Sequence, residues 1–130
     1  MPHYFTREEA EALLPAISVL LRKIQEHRQE MQHIEARLVH LRMQARGNGH
    51  NLHADLAEAQ HALAQHIDVL QESANALGEF GCELKDPDRG LIDFLSLREG
   101  REVYLCWFLG EERINYWHPL ETGIAGRRPL

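Results

Sequence analysis

The stretch ISVLLRKIQEHRQEMQHIEARLVHL, from Ile17 to Leu41, repeats apolar residues in alternating steps of three and four. The series begins just upstream of this stretch, at Leu13, and continues with Ile17, Leu20, Ile24, Met31, Ile34, Leu38 and Leu41. His27 fills the single gap in it. This heptad pattern is typical of a helix that packs along another helix. It predicts a first helix over residues 7–46, which begins at a capping box of Thr6 and Glu9. Pro15 should kink this helix without ending it.

A second heptad series follows the turn-forming stretch RGNGHN at residues 46–51. Its members are Leu52, Leu56, Ala59, Leu63, Ile67, Leu70, Ala74 and Leu77, and they predict a second helix over residues 51–79. A short connection between two such helices favours an antiparallel, coiled-coil-like hairpin. If the chain folds about Asn48 and Gly49, His27 lies near Leu70. The start of the first helix then overhangs the second by roughly 10 residues, or ~15 Å, and the rest of the chain must cover it.

Glycines punctuate short β-type runs in the last part of the chain, residues 82–130. We predict strands near residues 82–85, 91–94, 102–108 and 114–118, which form a small antiparallel sheet of three to four strands. The last two should form a hairpin that turns at Gly110 and Glu111. Alternation along it would place Val103 and His118 on one face, and Cys106 on the other. One face would pack on the helices, and the tail or a second subunit would cover the other. The sequence therefore predicts an α+β fold, with residues 1–130 as a single domain.

Composition limits the classes of function. The chain has 20 acidic and 14 basic residues, a net charge of −6, which argues against a nucleic-acid partner. No stretch approaches the ~18 apolar residues of a membrane span, and the amino terminus lacks the pattern of a signal peptide. Cys82 and Cys106 show no metal-binding or disulfide spacing. We expect a soluble cytoplasmic protein without a nucleic-acid or membrane partner.

Three blocks of the last third, GCELKDPDRGLIDF, REVYLCWFLGEERINYWH and GIAGRRPL, resemble the bacterial family called domain of unknown function 2203. The opening stretch YFTREEAEALLP is similar to the start of that family. The motif positions are Lys85, Gly90, Asp93, Phe94, Cys106, Trp107, Gly110, Glu111, Trp117, His118, Gly123 and Arg127. The resemblance implies a helical hairpin with a small β unit, and it implies no particular activity.

Asp93 and His118 are the main candidates for a site, because each closes a predicted strand beside aromatic residues. They could hold a divalent metal ion together with Glu83 or Glu121, or Asp93 could orient His118 as a general base. Arg127 and Arg128 are candidate anion-binding residues nearby. The structural alternative is that Asp93 caps a turn while His118 bonds to the tail.

Other polar residues favour structural roles. EMQH at 30–33 and EAQH at 58–61 have the Glu-x-x-His spacing of di-iron bundles, but both histidines point away from the helical seam. We interpret Cys106 as a packing residue, because burial disfavours its thiolate. Glu111 should form a salt bridge or cap the backbone at the tip of the hairpin.

His27 lies on the seam itself, where a polar residue usually fixes register or oligomeric state at some cost in stability. The function predicted first is a non-enzymatic interaction module, a homodimer or larger oligomer formed through the helical hairpin, with the β end available to a protein partner. The alternative is a metal- or anion-binding protein, an enzyme among the options, with its site around Asp93 and His118.

Overall fold

The computed structural model describes residues 2–48 and 52–130, which adopt an α+β fold. Two long helices, α1 (Arg7–Asn48) and α2 (Leu52–Glu79), pack together as a helical hairpin. A five-stranded antiparallel sheet follows, with the strands neighbouring one another in chain order. The strands are β1 (Glu83–Asp86), β2 (Leu91–Arg98), β3 (Arg101–Phe108), β4 (Tyr116–Pro119) and β5 (Arg128–Pro129), and a 3₁₀ turn (Gly123–Gly126) precedes the last. The predicted fold class is confirmed, and the two-residue β5 raises the number of strands above the predicted three to four.

The predicted start of α1 is confirmed in detail. The Thr6 backbone N–H donates to Glu9 Oε1 at 3.2 Å, and the Glu9 N–H donates to Thr6 Oγ1 at 3.1 Å. The helix continues through Pro15 and ends two residues later than predicted. The predicted turn at Gly49 and the predicted first residue of α2, Asn51, lie outside the described residues. None of the described helices combines the length and the apolar character needed to cross a bilayer.

The first half of α1 packs into the main core. Its buried residues are Ala10, Leu14, Ile17, Leu21 and Ile24, and they share one cluster with Ile92, Phe94, Leu105, Trp107 and Ile114 of the β unit. The heptad pattern assigned the seam to Leu13 and Leu20, which are only partly buried. The more buried positions lie one residue later, because the sheet covers that flank of the helix. The expectation that the β unit covers the overhanging end of α1 is therefore confirmed.

The far half of the hairpin has a much smaller core of its own. Leu38, Leu41 and Ala59 are buried there, and their apolar neighbours are only partly buried. Further along α2, Ile67 is 44% exposed although the heptad pattern placed it on the seam, whereas the polar Ser73 is buried. A straight helix drifts steadily relative to a 3.5-residue repeat, so a seam predicted from heptads rotates out of register over several turns.

The predicted register of the last hairpin is wrong by one residue. Cys106 pairs with Tyr116, and Tyr104 pairs with His118. The connection is not a two-residue turn at Gly110 and Glu111, because residues 109–115 all lie outside the strands and Ile114 is fully buried. A slip of one residue moves every side chain of a strand to the opposite face. His118 consequently shares the outer face of the sheet with Tyr104 and Cys106, whereas Trp117 packs against the core on the helix side.

The predicted end of the second strand is also wrong. β2 does not end at Phe94 but extends to Arg98, and a two-residue turn at Glu99 and Gly100 connects it to β3. Both turn residues have positive φ, 54° and 78°, as a tight hairpin of this kind requires. Asp93 therefore lies inside a strand and does not close one.

Candidate metal centre

Three neighbouring strands bring Asp93, Cys106 and His118 together on the outer face of the sheet. Asp93 of β2 is directly opposite Cys106 of β3, and His118 of β4 is opposite the next outward-facing residue of β3, Tyr104. One ligand atom from each of the three side chains lies within 4.8 Å of the other two. The residues are 2%, 0% and 2% exposed, respectively. The strand register alone thus creates a buried cluster of a carboxylate, a thiol and an imidazole.

The segment after β4 forms part of the cover over this cluster. Leu120, Gly123 and Ile124 line a cavity of about 320 Å³ together with Asp93 and His118. This arrangement matches the expectation that the tail covers the face of the sheet turned away from the helices. The cluster is therefore buried and borders a small cavity.

The hydrogen bonds of His118 fix the role of each ring nitrogen. Nδ1 lies 2.8 Å from the Pro119 carbonyl oxygen, which only accepts, so Nδ1 carries a proton and donates it. Nε2 lies 3.0 Å from Asp93 Oδ2. A lone pair on Nε2 would repel an ionised carboxylate at that distance, so a proton or another cation must lie between the two atoms. Histidines that bind a metal through Nε2 commonly donate a hydrogen bond from Nδ1 to a backbone carbonyl, which fixes the orientation of the ring. His118 makes a bond of this kind.

Burial controls the charges of the other two groups. It raises the pKa of Asp93 above its ordinary value, although His118, Cys106 and Lys85 act in the opposite direction. Burial, together with the nearby Asp93 carboxylate, raises the pKa of the Cys106 thiol to about 11. Without a metal, Cys106 is therefore a neutral thiol at pH 7 and not an activated nucleophile, in agreement with its predicted packing role.

One oxygen of the cluster lacks a protein partner. Asp93 Oδ1 is buried, and no N–H or O–H group in the described part of the chain donates to it. The neighbouring Cys106 thiol is only a weak donor. Leaving a buried acceptor unsatisfied costs ~1–3 kcal/mol, and more when the group is charged. A cation held by the cluster would remove this cost. Imidazole nitrogen, carboxylate oxygen and thiolate sulfur together are a ligand set that suits Zn²⁺, and three protein ligands leave a fourth position open.

The structure brings together only part of the predicted metal set. Asp93 and His118 lie in contact, but the cluster does not include Glu83 or Glu121. Glu83 is the cross-strand neighbour of Asp93, yet it is exposed, and its Oε1 lies 3.4 Å from Lys85 Nζ. Glu121 is exposed after β4. Sequence reasoning did not place Cys106 beside Asp93 and His118, because the one-residue error in register put it on the opposite face from His118.

The two predicted anion-binding arginines have other contacts. Arg127 donates to the Glu111 carboxylate and to the Cys106 carbonyl oxygen, and its guanidinium lies 4.0 Å from the centre of the Tyr116 ring. Glu111 also accepts the Phe108 backbone N–H at 2.7 Å. The prediction that Glu111 forms a salt bridge or a backbone cap is thus confirmed on both counts. Arg128 is exposed, and its guanidinium lies 5.3 Å from the centre of the Trp117 ring.

The histidines of the two helices fall into two groups. The Glu-x-x-His residues, which are Glu30, His33, Glu58 and His61, are all exposed, as the helical angles predicted. His27, by contrast, has a partner on the other helix. Its Nδ1 lies 2.7 Å from Nδ1 of His66, which is one helical turn from the predicted neighbour Leu70. The seam histidine is therefore half of a polar pair between the helices.

Fold and site together define an α+β protein with helices on one face of an antiparallel sheet and a buried aspartate, cysteine and histidine cluster on the other. The chain belongs to the family described as an uncharacterized conserved protein, domain of unknown function 2203, whose family model matches residues 3–130. Comparison with curated proteins and with solved structures gave no significant match.

Proposed function

We propose that this protein binds a divalent transition metal ion of the zinc class through Asp93, Cys106 and His118. The observation that supports this most strongly is the convergence of three different ligand types, all buried and all within 4.8 Å of one another. Two further features favour it. The hydrogen bond from His118 Nδ1 to Pro119 holds the ring with Nε2 facing Asp93, and among the described residues no N–H or O–H group donates to Asp93 Oδ1.

A purely structural cluster explains the same residues less well. A lone Asp93–His118 hydrogen bond would account for the imidazole, but it would leave the second oxygen of a buried carboxylate without an N–H or O–H donor from the described residues. A bound cation would favour the ionised forms of Asp93 and Cys106, whose pKa values burial raises in the metal-free protein. When bound, the metal would act as a Lewis acid with one open ligand position.

Cobalt titration of protein purified without an affinity tag and stripped of metal tests the proposal. We expect one Co²⁺ per chain, an absorption band from thiolate-to-metal charge transfer, and displacement by zinc. Cys106→Ser should remove the band, and His118→Gln should weaken binding at least tenfold. His61→Gln, which changes an exposed histidine outside the cluster, is the matched control and should bind normally. A wild-type protein that binds no stoichiometric Co²⁺ or zinc would exclude this function.

The oligomerising module is the second candidate, and the small core at the far end of the helical hairpin favours it. Among the residues that the structure describes there, only Leu38, Leu41 and Ala59 are buried, whereas Val39 and Met43 are 56% and 66% exposed. Pairing with a second hairpin would cover more of this surface in a four-helix arrangement. Both cysteines are free thiols, which is consistent with a cytoplasmic location as part of this proposal.

A further inference from the structure

The His27–His66 pair lies at the junction between the two apolar clusters of the helical hairpin. On α1, Ile24 belongs to the main core, whereas Ile34 packs against the small cluster of the far half. His27 lies between these two positions, and His66 faces it from α2. Both imidazoles are half-buried, so water still reaches them. The polar pair therefore separates the well-packed end of the hairpin from the weakly packed one.

The two rings share a single proton across their contact. Their Nδ1 atoms lie 2.7 Å apart, and the ring centres lie 4.9 Å apart. Two lone pairs facing each other at this distance would repel, and two N–H groups would set hydrogen against hydrogen. One ring therefore donates from Nδ1 and the other accepts at Nδ1. When both rings are neutral, the accepting ring carries its own proton on Nε2.

Acid changes this contact in two steps. The first extra proton binds to Nε2 of the donating ring, which keeps the hydrogen bond and makes it charge-assisted. The second has to bind to Nδ1 of the accepting ring, which removes the bond and leaves two cations in contact. The native hairpin therefore accepts one proton where an opened hairpin accepts two.

The charged groups of α1 around His27 nearly balance. Lys23 and Glu30 lie one helical turn before and after it, and they have opposite charges. Glu26 and Glu30 border the same surface hollow as His27, and both are exposed. Solvent screens exposed charges, so these carboxylates attract a second proton only weakly.

Neither α2 nor the β unit adds a free charge beside the pair. The α2 positions one turn from His66 are uncharged, and they are Ala62, Leu63, Val69 and Leu70. Asp68 is exposed and lies about 200° around the helix from His66. From the β unit, Asp88 reaches α1, but its carboxylate accepts two hydrogen bonds from Arg28. The contact between the two rings therefore decides how many protons the pair holds.

We propose that the His27–His66 pair makes the far half of the helical hairpin sensitive to pH. Histidine is the side chain that ordinarily changes charge between about pH 5 and pH 8. Because the opened hairpin binds one more proton than the native one, the far half is stable at neutral pH and loses stability as the pH falls. One proton changes the opening equilibrium by at most about tenfold per pH unit. The far half should open before the rest of the protein, because its own core is small.

Amide hydrogen exchange at pH 7 and pH 5, corrected for intrinsic exchange rates, tests the proposal. The amides to follow are those of Leu38, Leu41 and Ala59, in the core of the far half. Their protection should fall with pH at least tenfold more in the wild type than in His27→Leu/His66→Leu, which has no proton to bind at this contact. His61→Gln changes an exposed histidine of α2 outside the pair. It is the matched control and should behave like the wild type.

An equal loss of protection in the wild type and in the double variant would overturn the proposal. So would a His61→Gln variant that loses the pH dependence. Nitrogen NMR of the histidine rings in the wild type gives a check that does not depend on the double variant. At neutral pH, one ring of the pair should carry its proton on Nδ1 and the other on Nε2. Two rings protonated on Nε2 alone would show that the shared hydrogen bond is absent, and the proposal would fail.

Discussion

Asp93 is a buried carboxyl group inside the sheet. Its carboxylate is buried, one oxygen has no partner, and burial raises its pKa above the ordinary value of 3.8. A group whose folded pKa is raised contributes stability below its unfolded pKa, and that contribution is lost as the pH rises through the folded pKa. In metal-free protein, Asp93 should therefore destabilise the fold at neutral pH.

The first prediction follows from this destabilising effect of Asp93 at neutral pH. Asp93→Asn in metal-free protein should unfold at a higher urea concentration than wild type at pH 7, because the neutral amide can donate to His118 Nε2 and has no charge to bury. The advantage should shrink as the pH falls towards 3.8, the ordinary value for this carboxyl. Denaturation across this pH range checks it, and a wild type that is more stable than the variant at pH 7 would contradict it. When zinc is added, the wild type should become more stable to urea than Asp93→Asn, because only the wild type keeps all three proposed ligands.

The two tryptophans of the chain differ in how deeply the structure buries them. Trp107 is 2% exposed, and its Nε1 donates to the Glu111 carbonyl at 2.9 Å, whereas Trp117 is only partly buried. Trp107→Ala should cost ~3–5 kcal/mol of unfolding free energy, as large-to-small core changes do. Trp117→Ala should cost clearly less. Urea denaturation of both variants measures the difference, and equal costs would show that partial exposure does not decide the effect here.

At the scale of elements, the two helices could be predicted because their signal is local. The capping box at Thr6 and Glu9 and the heptad series depend on neighbours within a few residues, and both predicted the right element. The faces of β4 depended on how many residues connect it to β3. That number is set by Ile114 turning into the core, a tertiary contact that periodicity does not reveal. The same error kept Cys106 apart from the candidate residues Asp93 and His118, which the structure brings together with it.

The histidine pair between the helices leads to a revised prediction. From the sequence, His27→Leu should raise stability, because it replaces a seam imidazole with an apolar residue. Since His27 Nδ1 lies 2.7 Å from His66 Nδ1, the single change leaves His66 without its partner. Replacing both partners with apolar residues avoids that cost. We expect His27→Leu/His66→Leu to melt at a higher temperature than wild type and than either single variant.

A double-mutant cycle, measured by thermal or urea denaturation, separates the effect of each single substitution from the interaction energy between His27 and His66. A positive coupling energy between the two histidines would show that their contact stabilises the hairpin. A double variant that melts below wild type would show that the pair does more than fix the register of the helices.

At the scale of the whole molecule, stability is unevenly distributed. The main core joins the start of α1, the end of α2 and the inner face of the sheet. Beyond His27 the two helices continue for roughly 30 Å with little more than their own small cluster to hold them. A two-helix hairpin without a third layer buries one stripe of each helix, and helices of this length are usually held by further packing. We therefore expect the protruding half of the hairpin to be the part that pairs with a second copy.

The last prediction tests that pairing. Val39 and Met43 are four residues apart on α1, so they share one face of the helix, and both are exposed. If a second hairpin covers this face, the wild type should be a dimer or larger by light scattering at tens of micromolar. Val39→Glu/Met43→Glu should then be a monomer, because dimerisation would bury two carboxylates against an apolar surface. Circular dichroism of this variant should show that the fold is retained.

Val19→Glu, at a position 65% exposed near the sheet end of α1, is the matched control and should stay oligomeric. A monomeric wild type, or a double variant that still dimerises, would exclude the protruding half of the hairpin as the interface.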